Sequence, residues 1–249
     1  KALEAIPKEI IDIIKNICSH FHRSTQKNAL LRQILIEKNI KPLEILYQSK
    51  TRWLSMRDCI GRILELWPAL QSYFLLYGSD TQKEYFAPEN ELFLRILSLL
   101  LHNIIDCNEY FQKDDLFYNE VLEKLKHTYV IIANLIIKKT EKTMDFTKVF
   151  EIPFEKNNIQ EIKIGKVDPD VQKILITPEE FEKVYLMRYD SVKDILNKVS
   201  EEKKSEICTA SIKFINICLK EMKINLPYTN EIMNLTQIIF FEEDYDENK

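Results

Sequence analysis

The chain has 249 residues, which is enough for one large domain or two small ones with a real hydrophobic core. Its 35 basic and 39 acidic residues give a net charge of −4, so any surface that binds nucleic acid has to be local. The chain has three glycines, and no two are neighbours. Walker loops, Rossmann dinucleotide sites and kinase glycine loops are therefore excluded, because each needs closely spaced glycines that let backbone amides approach phosphate.

The cysteines and the apolar segments indicate a reduced intracellular protein. Five scattered cysteines form no CxxC motif, which is typical of thiols used as small hydrophobic groups. The longest apolar stretch, around residues 96–105, is too short to span a bilayer, so we expect no membrane partner. The first residues do not have the pattern of a signal peptide. The chain begins at Lys1 without a methionine, and we expect it to be part of a longer protein.

The predicted elements are mostly helices, because apolar residues recur at helical spacing along most of the chain. Ser24 is predicted to cap the second helix and Ser55 the third, which Pro68 should kink. Gly78 begins a break, and Pro178 is predicted in the first turn of a later helix. The predicted helices cover residues 3–22, 24–41, 55–74, 90–112, 116–140, 179–201, 206–223 and 230–241.

Strands are predicted at no more than two places, residues 43–49 and 149–154, where short apolar runs are compatible with β-structure. Residues 141–178 contain three prolines and a glycine, and we interpret them as a long irregular excursion. The fold class is therefore mainly α, with at most one or two short strands.

Charge is distributed unevenly along the first 126 residues. Residues 15–62 contain ten basic and three acidic residues, a net of +7, whereas residues 63–126 contain five basic and eleven acidic residues, a net of −6. The basic segment could be a phosphate-binding face. A solvated, lysine-rich helix surface would have the same composition, and charge alone favours that alternative.

Two features of the basic segment are candidates for chemistry. Cys18 and His22 lie four residues apart on a predicted helix, but two ligands do not make a four-ligand zinc site. Trp53 follows Arg52 at the junction of a loop and a helix, where an aromatic ring can stack on an unpaired base between cations that hold phosphates. The alternative is that Trp53 is buried in the core, as we expect for Trp67 from its helical spacing with apolar neighbours.

A resemblance to a known family rests on three stretches of the first 77 residues. These are His20-Phe21-His22-Arg23-Ser24-Thr25-Gln26-Lys27, then Lys41-Pro42 with Ser49-Lys50-Thr51-Arg52-Trp53-Leu54-Ser55, and Arg62-Ile63-Leu64-Glu65-Leu66-Trp67-Pro68-Ala69-Leu70. They resemble the hAT superfamily of DNA transposases and the host proteins domesticated from them. The resemblance implies a ribonuclease H-like core interrupted by an all-helical insertion, and strand cleavage and transfer by a carboxylate triad with two metal ions.

The resemblance also implies specific roles and boundaries. Arg52 and Trp53 match the family pair that lies near the active site and handles flipped or hairpin bases. The catalytic aspartates should lie upstream of Lys1 and the glutamate near or past Lys249, so no catalytic residue is assigned. The family's Cys-x-x-His motif is not matched by Cys18 and His20. Magnesium or manganese is implied only for an intact family site.

The predictions from the sequence are therefore as follows. Residues 1–77 are the latter part of the ribonuclease H-like core, and residues 78–249 are the helical insertion domain. The chain binds and positions DNA in the nucleus and is catalytically silent alone. The alternative is a domesticated, transposase-derived nuclear scaffold without transposition activity, which binds nuclear protein partners or forms a homo-oligomer. The predicted DNA-binding residues are Arg23, Lys27, Lys50, Arg52, Trp53, Arg57 and Arg62.

Overall fold

The computed structural model describes residues 6–46, 53–112, 117–138, 149–150, 152 and 174–225. These residues fold mainly into α-helices, as predicted. A 3₁₀ turn at Leu186–Arg188 joins two of the later helices. In chain order the helices are α1 (Lys8–Phe21), α2 (Thr25–Glu37), α3 (Trp53–Glu65), α4 (Trp67–Tyr77), α5 (Asp80–Glu84), α6 (Pro88–Tyr110), α7 (Tyr118–Ala133), α8 (Pro178–Val184), α9 (Asp190–Leu196) and α10 (Glu201–Asn225).

Both predicted strands are wrong where the structure describes them. Residues 43–46 form no strand, and residues 47–49 lie outside the described residues. Val149 and Phe150 are helical rather than extended, and the rest of that prediction is largely outside the described residues. In the part of the chain that is described, β-pairing is confined to an isolated antiparallel bridge between Ile137 and Leu175. The apolar side chains in these segments pack against the helices instead of against a sheet.

The predicted long helix from Ser55 is two helices, and Ser55 does not cap it. Helix α3 begins at Trp53, which places Ser55 inside its first turn. The helical conformation is interrupted at Leu66. Pro68 lies in the first turn of α4 rather than at a kink within one long helix. A proline in the middle of a helix lacks the amide donor and would clash with the carbonyl group four residues earlier. Ending α3 before the proline avoids both costs.

The predicted break at residues 78–80 is confirmed at Gly78 and Ser79, whereas Asp80 is already the first residue of α5. The Gly78 amide closes α4 by donating to the Phe74 carbonyl oxygen at 2.8 Å. A Cβ atom at Gly78 would lie 2.5 Å from that same oxygen, so this close approach needs glycine. Ser79 then starts α5 with a capping box, in which its side chain accepts from the Gln82 amide and the Gln82 side chain accepts from the Ser79 amide.

Helix α6 lies at the centre of the fold, as its predominantly apolar sequence predicts. It packs against α1, α3, α7, α9 and α10, and its buried side chains point in several directions around the axis. Among the described residues, one cluster of buried side chains contains members from Ile6 to Leu219. It therefore crosses residue 77, and the proposed division into two domains at that position remains a prediction.

Among the described helices, none has both the length and the apolar character that crossing a bilayer requires.

Candidate nucleic-acid interface

The first two helices and the residues beside them carry a group of basic side chains that form no ion pair with another described residue. The group contains the six lysines and arginines between residues 15 and 41. All are exposed except Lys27, which is half-buried. We refer to this set as the α1–α2 cations: Lys15, Arg23, Lys27, Arg32, Lys38 and Lys41. Free, solvated cations are the groups that can neutralise phosphates by displacing counterions.

Arg23 lies in the turn between α1 and α2 with φ of 56°. This is the left-handed region that residues other than glycine seldom adopt, and a residue held there is a reason to look for function. The Ser24 side chain caps α2, as predicted, by accepting from the Lys27 amide at 3.4 Å. This cap holds the backbone of the turn in one conformation. The exposed side chain of Arg23 is therefore attached at a defined position on the surface.

Arg57 and Arg62, both predicted to bind DNA, are engaged in contacts within the protein. Arg57 forms ion pairs with Asp58 at 3.0 Å and with Glu109 at 2.9 Å. Arg62 donates to the Glu44 carbonyl oxygen and pairs with Glu65 at 3.3 Å. A phosphate would have to compete with these carboxylates. We therefore expect each arginine to contribute less to DNA binding than an unpaired cation does.

The remaining predicted DNA-binding residues are only partly located. Lys50 and Arg52 lie outside the described residues. Trp53 is the first residue of α3, but the predicted stacking of its side chain falls outside what the structure describes. Trp67, by contrast, is 4% exposed and packs against Phe86 with ring centroids 4.8 Å apart. The prediction that Trp67 is a core residue is confirmed.

Beside the α1–α2 turn, His20 connects three helices through hydrogen bonds that the sequence did not reveal. Its Nε2 atom lies 3.2 Å from the Tyr73 hydroxyl on α4, and its Nδ1 atom lies 3.4 Å from Gln82 Nε2 on α5. The imidazole also packs on Phe74 with ring centroids 4.8 Å apart. No sequence spacing links these partners, which come from positions 53 and 62 residues later.

The capping box of α5 determines which His20 nitrogen carries the proton. Gln82 Oε1 accepts from the Ser79 amide at 3.0 Å, which turns the Gln82 NH₂ group toward His20. That NH₂ donates to Nδ1, so Nδ1 must be the acceptor and Nε2 must carry the proton. Nε2 then donates to the Tyr73 hydroxyl. Protonating the ring would place a second hydrogen against the Gln82 donor and break this arrangement.

Stability should therefore fall in mild acid because of His20. Burial lowers its pKa from the ordinary 6.5, and the positive charge of Lys27 lowers it further. As pH falls below about 6.5, the unfolded chain binds a proton that the folded chain resists. The free energy of unfolding therefore decreases with falling pH, and the loss ends below the lowered pKa of the folded state.

Urea denaturation of wild type and His20→Gln from pH 8 to pH 5 tests this expectation. The wild type should lose more stability over that range than His20→Gln. Lys27→Gln should reduce the loss, because it removes one of the two causes of the lowered pKa. Equal pH dependence in wild type and His20→Gln would contradict the expectation.

The described residues contain no cluster of side chains that could bind a metal ion. In this part of the chain, no three His, Cys, Asp or Glu side chains converge as a metal would require. Cys18 is buried and His22 is exposed. A two-metal nuclease centre would need converging carboxylates.

No family model, curated protein or solved structure matches the chain.

Proposed function

We propose that the chain is the DNA-binding and DNA-positioning part of a hAT transposase-like protein, and that it is catalytically silent by itself. The proposal rests on the resemblance of residues 1–77 and on one structural observation, the unpaired α1–α2 cations. DNA would lie across the α1–α2 turn, with Arg23 and Lys27 on phosphates. The ribonuclease H-like core and the nuclear location are part of the same proposal.

The α1–α2 cations are grouped between residues 15 and 41, whereas other described cations without an ion pair, such as Lys183, Arg188 and Lys220, are spread over later elements. Arg57 and Arg62 on α3 have carboxylate partners, as do Arg95 on α6 and Lys203 on α10. The cations of α1 and α2 have none among the described residues. Cations left without carboxylates remain available to an anionic partner, and a duplex presents a regular array of phosphates.

Arg23→Gly is the sharpest test, because it separates DNA binding from folding. Glycine relieves the left-handed backbone at this position, so Arg23→Gly should be at least as stable as the wild type. It should nevertheless bind duplex DNA more weakly, and its log–log salt dependence should be flatter by about 0.9 if one phosphate contact is lost. Fluorescence anisotropy at several salt concentrations measures both quantities.

Lys27→Ala and Arg32→Ala should lower the affinity for duplex DNA and flatten its salt dependence as Arg23→Gly does. Arg57→Ala should have a smaller effect on both quantities. Lys220→Ala is the matched control, since it removes one exposed lysine from α10 and should leave affinity and salt slope unchanged. If Lys220→Ala weakens binding as much as Arg23→Gly, attraction is due to total charge and the proposed surface is wrong.

The second candidate function is that of a domesticated nuclear scaffold that binds proteins. Its support is an exposed apolar group at the end of α4, where Leu75, Leu76 and Tyr77 are 66%, 67% and 53% exposed. Apolar groups of this kind often mark interaction sites. Failure of the wild type to bind DNA at low salt would favour this function over the first.

A further inference from the structure

The exposed apolar end of α4 lies beside the α1–α2 turn. Leu76 and Tyr77 are 67% and 53% exposed. They follow Tyr73 by three and four residues, so they share its side of the helix. The Tyr73 ring lies 4.9 Å from the ring of Phe21, the last residue of α1, and 5.3 Å from the ring of Tyr77, between centroids. An apolar patch therefore adjoins the turn that carries Arg23.

The first turn of α2 supplies the basic part of the same surface. Asn28 Nδ2 donates to the Phe21 and Ser24 carbonyl oxygens, both at 2.9 Å, which holds the start of α2 against the end of α1. Helix α2 also packs against α4. Arg23 and Lys27 therefore lie beside the apolar patch, and neither forms an ion pair with another described residue. The basic–apolar surface is the set Arg23, Lys27, Leu76 and Tyr77.

The chain itself contains a segment whose composition is complementary to this surface. Residues 238–241 read Ile-Ile-Phe-Phe, and residues 242–247 contain five carboxylates. Both stretches lie outside the described residues. A surface with an apolar patch beside unpaired cations matches a segment in which apolar side chains are followed by carboxylates, because each part meets a partner of the complementary kind.

The segment is attached close enough to reach the surface. Near the end of α10, Met222 lines a cavity together with Phe111 at the end of α6. Phe86, just before α6 begins, stacks on Phe74 of α4. The distance to be covered is therefore about the length of α6, roughly 35 Å for its 23 residues. Residues 226–237, which connect α10 to the segment, span up to about 40 Å when extended.

We propose that residues 238–247 dock on the basic–apolar surface of the same chain, with their apolar side chains on Leu76 and Tyr77 and their carboxylates on Arg23 and Lys27. Because the segment is tethered, its local concentration is in the millimolar range, and weak contacts are enough to hold it. Salt weakens the docking, since ions screen exposed charges. The docked segment covers cations that the proposed function assigns to phosphates, so its effect on DNA binding, though not the docking itself, rests on that function.

Carbodiimide cross-linking of the full chain tests the docking without DNA. The reagent joins a carboxylate to a lysine amine only where the two groups touch, and mass spectrometry maps the joined peptides. Residues 242–247 should be joined to half-buried Lys27 more than to Lys220, although Lys220 is exposed and lies near the point where the segment is attached. Salt at about 1 M should remove this preference. A preference for Lys220 at low salt would overturn the proposal.

Leu76→Ser and Leu75→Ser are a matched pair of variants for the apolar contact. The two leucines are equally exposed, at 67% and 66%, but Leu75 is two residues after Tyr73 and faces away from its side of α4. Leu76→Ser should slow cross-linking to Lys27 by about fivefold, because an apolar contact is lost, and Leu75→Ser should leave the rate unchanged. Equal effects of the two variants would contradict docking at this patch.

An equal mixture of isotope-labelled and unlabelled chain shows which molecule supplies the segment. Docking within one chain gives cross-linked peptides that are fully labelled or fully unlabelled. Peptide pairs of mixed label would show that a second copy supplies the segment, and they would overturn the proposal of docking within the chain.

DNA titrations then measure the consequence for binding. The double variant Glu242→Gln/Glu243→Gln should bind duplex DNA about tenfold more tightly than the wild type if the segment covers the surface roughly nine-tenths of the time. Asp194→Asn/Glu202→Gln removes two exposed carboxylates from α9 and α10, controls for total charge and should have a smaller effect. Cross-links to Lys27 without any DNA binding would leave the docking intact and contradict the proposed function. DNA binding without those cross-links would do the reverse.

Discussion

Phe74→Ala should lower the free energy of unfolding by about 3–5 kcal/mol, the usual cost of removing a fully buried aromatic ring. Phe74 is 0% exposed. Its ring stacks on Phe86 at 5.3 Å between centroids and meets Phe21 edge-on at 5.9 Å. It also packs on His20, so the alanine variant leaves a cavity where α1, α4 and the turn between α5 and α6 meet.

The expected loss is a large part of the ~5–15 kcal/mol by which folded proteins are usually stable. For a chain of this size it corresponds to a fall in melting temperature of roughly 6–20 °C. Urea denaturation with the slope determined for each variant measures it, because an unchanged slope shows that unfolding is still comparable. The adjacent Leu75→Ala is the matched control.

Leu75 is 66% exposed, and its replacement by alanine should change stability by no more than about 0.5 kcal/mol. If Phe74→Ala lowers the free energy of unfolding by less than about 1 kcal/mol, the neighbouring aromatic rings must move into the space that the Phe74 ring leaves. A large loss for Leu75→Ala would instead mean that the end of α4 is covered, for example by a second copy of the chain.

The features that the sequence predicted correctly are those that depend on nearby residues. A serine next to a periodic apolar run predicted the Ser24 cap, and a proline before acidic residues predicted the first turn of α8. In the structure Thr177 precedes that proline and forms a capping box with Glu180. The burial of Trp67 followed from the spacing of its apolar neighbours. In each case the residues that decide the structure lie within a few positions of one another, so the local sequence pattern is enough to predict it.

The features that the sequence did not predict depend on distant residues. Arg57 was expected to face DNA, but Glu109, which is 52 residues away, supplies its carboxylate. The hydrogen bonds of His20 join helices whose relative placement no periodicity encodes. The predicted helix at residues 179–201 is instead α8, a 3₁₀ turn and α9. In that segment Tyr185 and Leu186 are buried, which indicates that tertiary packing overrides a continuous helical pattern there.

Comparing the two tryptophans tests the proposed role of Trp53. If Trp53 stacks on an unpaired base, Trp53→Ala should weaken binding to hairpin or single-stranded DNA by about 1–3 kcal/mol. Blunt duplex DNA offers no unpaired base, and its binding should change less. Stacking releases few counterions, so the salt slope should remain that of the wild type.

Trp67→Ala is the control, because Trp67 is a core residue and its loss should destabilise the fold by about 3–5 kcal/mol. Its effect on DNA binding should then be equal for all DNA forms and follow the fraction unfolded. Melting temperatures and affinities measured together separate the two mechanisms. If Trp53→Ala lowers the melting temperature as Trp67→Ala does and shows no selective loss for unpaired DNA, Trp53 is a structural residue, and the α1–α2 cations alone carry the proposed interface.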